Sequence, residues 1–144
     1  MKVFLDASAF AKHYVAGQGA DKVIALCQQA GRLIVSVICL PELISALSRL
    51  VRKKKFSKSD HRELRDDVMA YLADLDICQI ASSIMDSVIF LLESQLLRAM
   101  DAIHVACALA VEPDTFVSAD HRQLLAAQKA GLNIVDVSCR ATVP

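Results

Sequence analysis

The sequence predicts an α/β protein: a central, mainly parallel sheet of about five strands with helices packed against it. Three observations carry this reading. Short apolar runs rich in β-branched residues recur along the chain. Longer amphipathic stretches alternate with them, the pattern of strand–helix–strand units around a parallel sheet. The apolar runs mostly lack the in–out alternation of a half-wet sheet, as expected of strands covered on both faces.

The elements follow in order. Val3–Leu5 is the first predicted strand, and the amphipathic stretch Ser8–Tyr14 after it is broken by Gly17 and Gly19. Ala20–Ala30 reads as a helix closed by Gly31, and Leu33–Ser36 as the second strand. Glu42–Lys54 is the next helix, with Pro41 suited to a first turn, where a missing N–H costs nothing. Ser59–Leu75 is a helix and Ile77–Ile80 the third strand. Ser83–Leu97 and Asp101–Val111 are two further helices, and Thr115–Val117 is the fourth strand. Arg122–Ala130, closed by Gly131, is the last helix and Ile134–Val137 the last strand.

At 144 residues the chain is the length of one domain, read here as residues 1–144 without linker or repeat. It is 55% hydrophobic and 22% charged, with 4 Gly and 3 Pro, which excludes a disordered, collagenous or low-complexity chain. The 16 basic side chains balance 16 acidic ones, so nucleic-acid affinity would have to come from a local patch. No apolar stretch approaches the ~18–20 residues of a spanning helix, and with Met1-Lys2 running straight into Val3 no signal peptide is expected. The expectation is a soluble cytoplasmic protein. Cys27, Cys39, Cys78, Cys107 and Cys139 are scattered, odd in number and form no CxxC pair. They fit small apolar residues of a reducing compartment, and the histidines add no zinc-ligand spacing.

Four carboxylates stand in apolar company. Asp6 follows the strand VFL and Asp120 follows FVSA, both at the carboxyl ends of strands, where open parallel sheets bind ligands. Glu42 and Asp101 lie near helix starts in otherwise oily sequence. Each has a plain alternative: an N-cap for Asp6 and Asp120, a favourable dipole position for Glu42 and Asp101. Buried acids that repel one another must protonate or acquire a cation. An all-oxygen set favours Mg²⁺ or Mn²⁺, ions that polarise phosphoryl oxygens and acidify an attacking water.

One stretch departs from the average composition. Arg49, Arg52, Lys53, Lys54, Lys55, Lys58, Arg62 and Arg65 hold half the basic side chains of the chain. It either tracks a phosphate backbone or is a solvated helix end and turn. Arg98, one turn before Asp101, is a further phosphate candidate with an equal claim to a surface role. His104 shares a helix face with Asp101 and reads first as a partly buried histidine making one hydrogen bond. Val88–Leu92 reads as core, while a mean hydropathy of +0.42 points to apolar surface covered by a partner.

The segments VFLDASA from Val3, PELISAL from Pro41, RAMDAIHVA from Arg98 and FVSAD from Phe116 resemble the successive motifs of PIN domains. They are most similar to those of VapC toxins from type II toxin–antitoxin pairs. The resemblance spans almost the whole chain, including AGLNIV from Ala130 as the last strand. It implies a three-layer α/β/α fold and a Mg²⁺- or Mn²⁺-dependent endoribonuclease. Asp6, Glu42, Asp101 and Asp120 match the acidic quartet, with Asp6, Asp101 and Asp120 as metal ligands. Ser8 and Ser118 match supporting hydroxyls, whereas His121 after the fourth acid departs from the usual pattern. The resemblance further implies RNA as substrate, with Arg49, Arg52, Lys53, Lys54 and Arg98 as candidate contacts, a homodimer, and an antitoxin lying across the acidic groove.

Two alternatives remain within the fold: a non-catalytic binding module and a DNA-directed nuclease. A haloacid-dehalogenase phosphatase needs an acid two residues after the first, where Ser8 stands. A response-regulator receiver needs paired acids and a late lysine that are not placed here.

Overall fold

The structure is a computed structural model and describes residues 1–15 and 17–138. Cys139 therefore lies outside the described residues. The chain runs β1 (Lys2–Leu5), α1 (Ala7–Lys12), α2 (Ala20–Gln29), β2 (Arg32–Ser36), α3 (Cys39–Arg52), α4 (Lys58–Leu72), β3 (Asp76–Cys78), α5 (Ser82–Ser94), α6 (Ala99–Val111), β4 (Thr115–Ser118), α7 (His121–Lys129) and β5 (Ile134–Asp136). The five strands form one sheet in the order β3-β2-β1-β4-β5, and every pairing is parallel.

Strand alternation sorts the core into two halves. Phe4, Ile34 and Phe116 share one face and pack under α5, α6 and α7 through Ile84, Val88, Val105 and Leu124. Val3, Leu5, Val35 and Val117 share the other and pack under α1–α4 through Phe10, Val23, Leu43, Leu47 and Val68. This is the expected three-layer arrangement, and it explains why the strands read as continuous apolar runs. Phe4 and Phe116 are register partners on β1 and β4, with rings stacked at 5.7 Å.

Strand order fixes where a ligand can enter. The chain steps from β1 outward to β2 and β3, then returns across the sheet to β4 and β5. The reversal falls between β1 and β4, the crevice where doubly wound sheets bind ligands. The Asp6 N–H donates to the Val117 carbonyl at 3.1 Å, so the two strand ends are locked side by side there.

Several boundaries differ from the sequence reading; α1 ends at Lys12 rather than Tyr14 and α4 at Leu72 rather than Leu75. Helix α3 begins at Cys39, so Pro41 is its third residue, still within the turn whose N–H groups have no intrahelical partner. Strand β3 ends at Cys78 rather than running to Ile80, and α5 stops at Ser94 rather than Leu97. Gly131, at φ +100°, follows α7 in the left-handed conformation expected of a closing glycine. Gly19 caps the start of α2 at φ +83°, and a Cβ there would fall 2.1 Å from the Val137 carbonyl oxygen. Among the described residues no helix is long and apolar enough to cross a membrane.

Candidate active site

Asp6 sits directly after β1 and is fully buried. Its side chain caps α1 by accepting the Ala9 N–H at 2.9 Å. Ser8 Oγ lies 2.8 Å from both carboxylate oxygens, and Ser118 Oγ donates to Oδ2 at 2.7 Å. The same hydroxyl oxygens accept in turn: Ser8 from the Ala119 N–H at 3.0 Å, Ser118 from the Asp120 N–H at 2.9 Å. Ser8 and Ser118 thus tie the acid of β1 to the loop after β4. Burial holds the Asp6 carboxyl above its usual range, against the lowering effects of these donors and of His104.

The other three acids approach from separate elements. Asp120 caps α7, its Oδ1 accepting the Arg122 and Gln123 N–H groups at 2.8 and 3.2 Å. Asp101, half-buried in the first turn of α6, accepts a hydrogen bond from Gln123 Nε2 at 2.9 Å. Burial and the neighbouring charges of Asp120 and Glu42 push the Asp101 carboxyl up. Glu42, in the first turn of α3, hydrogen-bonds the Nε2 of His104 on α6. Asp6 and Asp120 are therefore both helix caps, the plainer of the two readings the sequence offered for them.

His104 is more buried than its sequence suggested: it is fully enclosed, with Nε2 on Glu42 and Nδ1 without a partner among the described residues. Gln123 was not recognised from sequence at all. It is 4% exposed, its amide N–H holds Asp101, and its Oε1 is buried and unpartnered. A signal existed, since Gln123 lies three and four residues before Ala126 and Ala127 on the buried face of α7. Arg98 is exposed, and it is its backbone N–H, not its guanidinium, that bears on Asp101. Arg49, Arg52, Lys53 and Lys54 lie exposed at the far end of α3 and the turn beyond it.

The donor chemistry of this crevice fits a hard divalent cation. Asp120 and Glu42 both act electrostatically on Asp101, an all-oxygen set of the kind that suits Mg²⁺ or Mn²⁺. The side chains are not arranged as a finished cage: among the described residues no three His, Cys, Asp or Glu groups stand in ligating geometry. Three donors, the Ser8 and Ser118 hydroxyls and the Ala9 N–H, already bind the Asp6 carboxylate.

An acid-lined crevice at the switch point of an all-parallel α/β sheet defines the class. The PIN domain family model matches residues 3–132, and the chain belongs to that family. It is 28% identical over 134 residues to Ribonuclease VapC45 of Mycobacterium tuberculosis, covering 92% of this chain and 93% of the relative. Among solved structures it is similar to FitAcB from Neisseria gonorrhoeae, with TM-score 0.74, 14% identity, and 94% and 98% of the two chains covered. It is also similar to a toxin–antitoxin complex from Klebsiella pneumoniae, with TM-score 0.67, 16% identity, and 92% and 95% covered.

Proposed function

We propose that the protein is a Mg²⁺- or Mn²⁺-dependent endoribonuclease, the toxin of a type II toxin–antitoxin pair. The observation that supports this most is the meeting of Asp6, Glu42, Asp101 and Asp120, from four separate elements, at the β1–β4 switch point. The name of the VapC45 relative supplies the ribonuclease class.

Asp6, Asp101 and Asp120 are the groups that would hold the ion. A divalent cation bound there supplies phosphate polarisation and an acidified water for phosphodiester hydrolysis. The chain's own residues do the positioning. Ser8 and Ser118 fix the Asp6 carboxylate, the Gln123 amide fixes Asp101, and His104 fixes Glu42.

Two partners accompany this reading. An apolar channel of about 370 Å³ leaves Ser8 and Ala119 between α1 and α3, past Leu43, Ala46 and Leu50. It is assigned to an antitoxin segment, as the toxin–antitoxin complex among the similar structures supports. Phe90 and Leu96, 70% and 83% exposed, with Ile89 and Met100, form an apolar surface assigned to a second copy of the chain.

The test is incubation of the partner-free protein with end-labelled total RNA in Mg²⁺ or Mn²⁺, with EDTA and Asp101→Asn as controls. Discrete cuts that require both metal and Asp101 support the reading. Uncut RNA with folded, metal-supplied protein sinks it, and would favour a non-catalytic or DNA-directed relative.

A further inference from the structure

We infer that the concave surface where α3 meets α4 binds backbone phosphates of the RNA strand, at a distance from the acidic crevice. This rests on the nuclease reading and adds to it a second point of substrate attachment.

The surface is a cleft of about 380 Å³ lined by Ser48, Val51, Arg52, Lys58, His61 and Arg62. Arg52 of α3 and Lys58 and Arg62 of α4 all line it, so three cationic side chains border one cleft from two helices, and Ser48 Oγ and His61 Nε2 pair across it at 3.3 Å. None of the three cations is neutralised: the ion pairs among the described residues are Arg32–Asp76, Arg65–Asp66 and Glu42–His104. Nearby Asp60 is occupied in the capping box with Ser57 at the start of α4.

The connecting turn adds to the patch at some cost. Lys54 adopts φ +57°, a conformation that favours glycine, in a turn closed by the Lys54 N–H to Val51 and Lys55 N–H to Leu50 bonds, both 2.9 Å. Lysines thus occupy positions 53, 54 and 55 where the backbone alone would select a glycine in the middle.

Charge balance and distance identify the occupant. The whole chain is neutral, so the remainder outside this stretch is acidic in balance and the stretch is where positive charge is concentrated. The cleft and the crevice share helix α3: Glu42 is in its first turn and Arg52 is its last residue. At 1.5 Å per residue they stand about 15 Å apart along the axis, within the span of a few nucleotides. Phe56 is the one aromatic residue in the stretch, so the contact is to phosphates rather than stacked bases.

The test measures binding apart from cleavage. Fluorescein-labelled single-stranded RNAs of 4 and 12 nucleotides are titrated in EDTA against wild type, Arg52→Ala/Arg62→Ala, Lys54→Gly and the remote control Lys129→Ala. The 12-mer should bind wild type and Lys129→Ala alike, and the double variant about tenfold more weakly. The slope of log affinity against log salt should flatten by about 1.4, two phosphates at ~0.7 each. The 4-mer, long enough to occupy the cleft, should also bind the double variant more weakly than wild type. Lys54→Gly should melt no lower than wild type yet bind the 12-mer less well; it decides the matter if the double variant fails to fold. Unchanged affinity and slope in a folded variant overturn the cleft while leaving metal-dependent cleavage intact. Wild type that neither binds nor cuts RNA overturns both readings. A poly-glutamate peptide that competes as well as RNA at equal charge overturns RNA as the occupant.

Discussion

Gln123 donates its side-chain amide to Asp101 at 2.9 Å, linking the first turns of α7 and α6. The contact orients the acid without neutralising it. Removing such a supporting partner typically costs about tenfold to a hundredfold in metal affinity. Gln123→Leu should therefore bind Mn²⁺ more weakly by calorimetry, with a circular dichroism spectrum unlike wild type in no respect. Equal Mn²⁺ affinity would remove Gln123 from any role beyond packing.

Asp101 is held among Asp120 and Glu42, whose charges oppose its own. Asp101→Asn removes that repulsion and keeps the hydrogen-bonding shape. Metal-free Asp101→Asn should melt above metal-free wild type while losing cleavage. Excess Mg²⁺ should raise the melting temperature of wild type and leave that of the variant nearly still. A variant that melts lower than wild type without metal would show that the acids are not under mutual strain.

His13 stacks on Tyr71 at 4.6 Å and lies against Tyr14 at 4.9 Å, and burial pulls its pKa below the usual 6.5. The folded state therefore binds this proton less readily than the unfolded chain. Its contribution is present above pH 6.5 and is lost as pH falls from there toward the depressed folded value. Urea unfolding should show a loss of stability below pH 6.5 that His13→Phe makes shallower. An equally steep loss in the variant would place the acid sensitivity elsewhere.

Phe116 is fully buried and stacked on Phe4 across the β1–β4 pairing. Phe116→Ala should cost about 3–5 kcal/mol in denaturant unfolding, as for other large-to-small core changes. Gly19→Ala should cost at least about 1 kcal/mol from its left-handed backbone alone, and the approach of the Val137 carbonyl adds to that. A neutral Gly19→Ala would mean that the α2 start and the residues after β5 are not packed as described.

The legibility of the chain follows the strength of local signals. The inner strands were visible because burial on both faces makes runs such as LIV and FV conspicuous, whereas the edge strands β3 and β5 are partly exposed and showed only as short Ile-containing runs. Asp6 and Asp120 stood out for the same reason, a charge at the end of an apolar run. Sheet order was not readable from periodicity, because nothing local says that β1 pairs with β4, more than a hundred residues on. Glu42 and His104 show the same limit: each is plain in its own helix, yet their contact joins positions 62 apart. Gln123 escaped notice because an uncharged amide among Leu and Ala looks like any half-exposed helix residue, and its helical phase was the sole clue.

The placing of β1 between β2 and β4 also governs the order in which the molecule can come into being. A nascent chain that has built β1, α1 and β2 still has one long edge of its innermost strand bare until Thr115–Ser118 emerges. Ser118, which donates to Asp6, is made 112 residues after it. Contacts so distant in sequence close late and slowly. The acid crevice is thus among the last features to form, and a ribosome-bound fragment lacking the final quarter of the chain has no complete one.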